Sequence, residues 1–490
     1  MSPLLILGSI GAYFVVLLLI AWITGRKAGT QGYFLGNKSS PWIIVALGMI
    51  GDSLSGVTFI SVPGKVGTAA HFSYLQLVLG FWLGYFVIAY VLLPVYYRMN
   101  LTSIYTYLES RFGKNSQKTG ALYFMLSRLL GAAARLYLTA SVIQYFVFER
   151  MGIPFELSVT IIIILILLYT YRGGIQTLVW TDTLQSVLLV GTVIFTIFSI
   201  SNQLGWQPGD IVSNVYNSPY TDVFVFDWLG RSFWLKDIIG GMFISITMTG
   251  LDQNMMQKNL SCPNLKDAQK NVVSFSFVMV LVNVFFLSLG ALLYMYAEQI
   301  GFTIPPKTDD LFPLLALNHL GYAAGIAFII GLTASTFSSA DSVLTTLTTS
   351  FYIDFLGLEK KDDLTQQQKD RKRHVIHVVF AALLLLVILI FKIFNNQAII
   401  DTVYLVASYT YGPLLGLFSF GLLTGIRSDD RFIPLVCVLS PVITYVISYN
   451  SKAWLGGYEF GNELLVVNGL ITFLGLLLFS VKKHDKTTPG

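Results

Sequence analysis

The chain has 490 residues, 54% hydrophobic and 12% charged, with a mean hydropathy of +0.68; soluble domains carry about a quarter charged residues, so a water-soluble globule is excluded and lipid is the solvent for most of the surface. Cys262 in a polar loop, Cys437 in an apolar run, and five scattered histidines without HExxH-like spacing speak against a disulfide framework and a Cys- or His-based metal centre. The net charge of +5 is modest and is read through membrane orientation, not as a nucleic-acid footprint.

Apolar runs of about 20 residues, long enough to cross a hydrocarbon core of about 30 Å, recur throughout, so 1–490 reads as one transmembrane domain. Thirteen spans are expected, at 4–24, 42–67, 72–97, 119–149, 156–172, 178–202, 237–258, 270–299, 322–352, 375–393, 399–425, 431–449 and 462–481. The first has no basic residue before it and Arg26 and Lys27 after it, the reverse of a cleaved signal peptide, which predicts a retained helix with its N-terminus outside. Alternating from there puts 22 Lys and Arg inside, Lys258 and the C-terminal Lys482, Lys483 and Lys486 among them, against 6 outside, with Lys65, Arg128 and Arg135 within spans. That bias predicts a multi-pass protein of the inner (plasma) membrane with a cytoplasmic C-terminus. Segments 203–236 and 300–321 predict short external helices or caps, and Glu359 to Arg373 (EKKDDLTQQQKDRKR) a solvated connector.

An ionisable residue within a span is itself a functional hypothesis. In the second span, LGMIGDSLSGVTFISVPGKVG (47–67) surrounds Asp52 and Lys65 with Gly, Ser and Thr. Such density weakens a helix, and freed carbonyls at membrane depth are tolerated where they line a cavity, as ligands for a small cation; small-residue helix packing is the plainer alternative. Arg128 and Arg135 in the fourth span share a face, seven residues apart, and suit either an anionic solute or a carboxylate of the bundle. In YRGGIQTLVWTDTLQ (171–185), Arg172-Gly173-Gly174 makes an inside turn and Asp182 sits two or three turns into the sixth span, needing a cation, a basic side chain or a proton. SITMTGLDQNMMQK (245–258) reads as a second interrupted helix or an ordinary helix end. ASTFSSADSVLTTLTTS (334–350) repeats hydroxyls at spacings of three and four around Asp341, which favours an ion site over interhelical glue.

A broken second span followed by four more, then a broken seventh followed by four more, is the pattern of an inverted-repeat transporter. YFLGNKSSPW (33–42), LTSIYTYLESRFG (101–113), GGIQTLVWTDTLQ (173–185) and the Ser-rich ninth span, in that order, resemble the sodium:solute symporter family, and within it the bacterial sialic acid and sugar symporters. The resemblance implies an all-α polytopic fold of about thirteen transmembrane helices: a LeuT-like 5+5 inverted-repeat core with an extra N-terminal helix (4–24), a first repeat over 42–172 and 178–202, a second over 237–425, and C-terminal helices over 431–481.

The same resemblance implies a main sodium site of the carbonyls of Gly51, Leu54 and Ser335 with the hydroxyls of Ser338 and Ser339. A second sodium would use Asp182, Ser338, Asp341 and Ser342, where Asp341 replaces an expected hydroxyl and leaves sodium, a proton or no second ion open. Solute contacts fall on Ser53, Ser55, Thr58, Gln76, Arg135 and Met248. Gln76 aligns only across a one-residue gap, Arg135 stands about one turn from the sialic acid symporters' arginine, and Met248 replaces the sugar symporters' aromatic gate. The expected activity is sodium-coupled symport of a small polar organic solute, sugar or sialic-acid-like, by alternating access in a monomer; proton coupling, an amino acid or carboxylate solute, and a transporter-like sensor are the alternatives. Neither enzyme chemistry nor a nucleic-acid partner is expected.

Overall fold

The computed structural model describes residues 3–25, 30–361, 363–394 and 399–481, and these are almost entirely helical. Arg26, Lys27, Lys482, Lys483 and Lys486, part of the orientation count, lie outside the described residues. Helix α1 (Pro3–Gly25) lies on the flank of the bundle with Leu4, Trp22 and Ile23 exposed, as expected where lipid is the solvent. The expected second span divides into α2 (Trp42–Ser53) and α3 (Gly56–Lys65), with a 57° bend across the break. Helix α4 (Tyr74–Val87) continues through a π turn, and α5 (Lys114–Ile143) follows.

Spans five and six form one 49-residue stretch, α6 (Phe155–Gln203), broken at Gly174. Gly174 has φ +53°, and a β-carbon there would lie 2.5 Å from the Tyr33 ring and carbonyl, so the reversal needs glycine on both counts. The seventh span is likewise interrupted: α7 (Trp234–Ser245) runs into a π turn, breaks at Leu251-Asp252, and resumes as α8 (Gln253–Asn259). Then come α9 (Leu265–Gln299), α10 (Gly321–Ser350), α11 (Gln366–Phe394), α12 (Ile399–Leu423), α13 (Ile433–Tyr449) and α14 (Leu464–Leu478). Helix α11 starts nine residues before the expected span, so the second half of the charged connector is helix, and the Arg373 guanidinium lies 4.1 Å from the centre of the Tyr33 ring. Short helices at Asp210–Tyr216 and Leu311–Asn318 occupy the two segments expected to form caps.

Among the described residues, eight helices are long and apolar enough to cross a membrane, nine with the bent α2–α3 pair as one span; Phe155–Thr170, α13 and α14 are shorter apolar helices. Helix α10 is the axis of the bundle. It packs most extensively on α6, and every residue from Gly331 to Ser350 is buried. At its far end the hydroxyls of Thr346, Thr348 and Thr349 turn back onto the carbonyls four residues earlier (2.7–2.9 Å), satisfying themselves within the helix. Two of the sequence motifs clamp α8. Gln253 donates to the Thr102 carbonyl (2.8 Å) and accepts from the Ile104 amide (2.9 Å), and Gln257 donates to the Phe34 carbonyl (2.5 Å).

Candidate sodium and solute sites

The break between α2 and α3 is where the Gly/Ser density expects it. Leu54 leaves the helix (φ −94°, ψ 70°) and Ser55 is extended (ψ 172°). The last carbonyls of a helix lack intrahelical donors and sit at the negative end of its dipole, so they suit a cation. This end lies against α10: a β-carbon on Gly51 would be 3.3 Å from the Ser338 hydroxyl, and one on Gly56 would be 3.3 Å from that of Ser335. Gly51, Leu54, Ser335, Ser338 and Ser339 are therefore brought to one junction. The Ser339 hydroxyl donates to the Ser335 carbonyl (3.3 Å), and the Gly51 amide to Ser186 Oγ (2.7 Å), which ties α2 to α6.

On the other side of the break is a cavity. The break contributes Asp52, Ser53 and Ser55, α3 contributes Thr58, α5 contributes Arg128 and Arg135, and the π turn after α7 contributes Met248; Phe81 and Met279 are apolar wall. The two arginines differ in their partners. Arg128 is paired: its Nε is 2.5 Å from Asp252 Oδ2, and a terminal nitrogen donates to the Met248 carbonyl (3.0 Å). Asp252 also accepts from Tyr411 (2.5 Å) and, as N-cap of α8, from the Met255 amide (3.2 Å). Arg135 is buried with no carboxylate partner among the described residues, and its Nε makes no hydrogen bond.

Gln76 is not in this cavity. Its amide donates toward the Ser73 and Ser232 carbonyls and Asp237 (3.1–3.4 Å) and accepts from the Val225 amide (3.1 Å), fastening α4 to the segment before α7. Tyr74, two residues earlier and so on the opposite side of α4, lines the cavity instead. The Tyr74 and Tyr404 hydroxyls meet at 2.8 Å, and with Ile400 these residues separate the cavity from a vestibule of about 1520 Å³. Lys65, read as an intramembrane charge, ends α3 at that vestibule and bridges Asp401 on α12 (2.5 Å).

The second cation set is also gathered, with two members the sequence does not single out. Ser338 and Ser342 donate to Asp182 (3.0 and 3.3 Å), and the Tyr169 hydroxyl donates to Asp341 (2.7 Å), whose other oxygen has no partner. Lys258, counted as a cytoplasmic charge, has only 1% of its side chain exposed: its ammonium lies 2.5 Å from Asp182 and 3.1 Å from Asp52. Asn254, one turn before Lys258, donates to the same Asp52 oxygen (2.6 Å). The available signal was that helical spacing, which puts Asn254 and Lys258 on one face of the segment. Asp52 thus faces the cavity and the lysine at once.

The model of the sodium:solute symporter family matches residues 33–425. The sodium/sialic acid symporter SiaT of Proteus mirabilis is 24% identical over 472 residues, covering 94% of this chain and 93% of that protein. The mouse sodium-coupled monocarboxylate transporter 1 is 26% identical over 430 residues, 86% of this chain and 67% of that protein. Among solved structures, a Na⁺-coupled sialic acid symporter in a substrate-bound, outward-open state superposes with a TM-score of 0.82 at 21% identity, covering 97% of each chain, and so shares the fold. A family match over most of the length, two interrupted helices at corresponding places and oxygen donors gathered at the first break lead to one conclusion: the chain belongs to the sodium:solute symporter family.

Proposed function

We propose that this protein imports a small hydroxylated organic acid, of the sialic acid class, together with sodium, and that the unpaired Arg135 receives the acid's carboxylate. The observation that carries this reading is a buried guanidinium lining the cavity that makes no ion pair among the described residues, while its neighbour Arg128 is paired with Asp252. A planar fork of N–H donors matches a carboxylate, and a buried charge of this kind is stabilised when its partner arrives. Ser53, Ser55 and Thr58 offer hydroxyls to the rest of the solute. Sodium is held by the carbonyls of Gly51, Leu54 and Ser335 and the hydroxyls of Ser338 and Ser339, joining α2 to α10. The chain crosses the inner membrane thirteen times with its N-terminus outside, the Lys65–Asp401 vestibule opens outward, and one copy suffices because both sites lie within it.

The test is thermal stabilisation of the purified protein by sialic acids, monocarboxylates, sugars and amino acids, each with sodium or potassium. An acid that stabilises only with sodium is the expected result; at 100 times its dissociation constant a ligand contributes about 2.7 kcal/mol. Stabilisation by neutral sugars alone would overturn the carboxylate assignment. In Ser338→Ala the protein should insert and fold, yet need roughly 10- to 100-fold more sodium for the same shift, as expected for one charge-assisted contact of about 1.5–3 kcal/mol. An unchanged sodium dependence in that variant would remove Ser338 from the ligand set.

A further inference from the structure

Of the four residues matched to a second sodium, Asp182, Ser338 and Ser342 are already engaged with one another and with Lys258, while Asp341 accepts from Tyr169 through one oxygen and keeps the other without a partner among the described residues. Asp182 receives the Ser338 and Ser342 hydroxyls on one side and the Lys258 ammonium, at 2.5 Å, on the other. The same ammonium is 3.1 Å from Asp52, and the side chains of all three ionised groups are at most 1% exposed. An ammonium is a compact unit charge with three donors, so it supplies to this carboxylate pair what a bound sodium would supply. A second mobile cation in contact with Asp182 would sit within a few ångströms of that charge, in a buried, low-dielectric site where like charges repel most strongly. Lys258 cannot leave by diffusion: it is fixed on α8, and α8 is clamped by Gln253 and Gln257 to the backbone at Thr102, Ile104 and Phe34.

We propose that Lys258 is a tethered cation that fills the second cation position, so that one sodium ion binds per chain. This rests on the sodium coupling proposed above and sets its stoichiometry. It makes Lys258 a specificity-determining residue, one that fixes how many ions accompany the solute and does not touch the solute itself.

The experiment is equilibrium binding of radioactive sodium to the purified full-length protein in nanodiscs, counted per chain. Wild type is expected to bind one ion. Lys258→Met is expected to bind two, the second at Asp182. Because that variant leaves two buried carboxylates uncompensated, the double variant Lys258→Met/Asp52→Asn is measured beside it; it removes one charge of each sign, keeps Asp182 and the serine hydroxyls, and is also expected to bind two. Two ions on wild type, or one ion on the folded double variant, would overturn the tethered-cation assignment while leaving sodium coupling intact. No sodium bound to wild type would instead break the coupling on which the inference rests.

Discussion

Arg135→Gln is expected to abolish binding of the acid solute without harming the fold. Arg135 has no ion pair among the described residues to lose, so the variant should melt at the wild-type temperature or above it, because a buried charge with no partner is itself destabilising. The solute should suffer. Truncating one side of a buried, hydrogen-bonded charge pair costs about 2–5 kcal/mol, or roughly 30- to 5,000-fold in affinity. Arg135→Lys keeps the charge and loses the fork, so it should fall between the two. Solute-induced thermal shifts in saturating sodium measure the series, and binding of radioactive sodium alone should be unchanged throughout. If Arg135→Gln binds every acid as wild type does, the carboxylate is received elsewhere.

Seven residues earlier the same side chain should behave in the opposite way. Arg128→Met strands Asp252, which keeps only Tyr411 and the Met255 amide as donors. Removing one partner of a buried pair costs about 3–5 kcal/mol. Arg128→Met should therefore lower the melting temperature sharply or reduce the yield of folded protein. Arg128→Met/Asp252→Asn should recover most of the loss, since an amide there can still accept from Tyr411 and still cap α8. A double variant no more stable than Arg128→Met would mean that Arg128 acts through packing, not through its charge.

This contrast also shows what the sequence reveals. That Arg128 and Arg135 share a face follows from helical spacing alone. Which of them is paired depends on Asp252, brought near only by the break in the seventh span, and no local pattern encodes that distance in sequence. The first break was legible for a physical reason: glycine and serine at that density weaken the helix between Ser53 and Gly56, wherever it packs. Gln76 looked like a solute ligand because its type fitted, but a helix separates neighbours by about 100° per residue, so two positions decide between Tyr74 in the cavity and Gln76 on the loop. Lys258 was counted among the cytoplasmic charges because alternation of the spans puts the end of the seventh inside. Three aspartates from three other helices hold the surroundings that bury it, and only the tertiary structure brings them together. The connector is largely exposed, as its charge suggests, but from Gln366 its residues are mostly good helix formers and continue into α11.

The ammonium seated between Asp182 and Asp52 bears on how the carrier would respond to voltage. A charge fixed to the protein returns with it at the end of each cycle and adds nothing to the net current. With that position filled from within, one sodium and one singly charged acid cross together and their charges cancel. A membrane potential is worth about 2.3 kcal/mol per 100 mV for each uncompensated charge, and such a carrier would forgo it. Its accumulating power would come from the sodium concentration ratio alone, and it would keep working in a cell whose membrane had been depolarised.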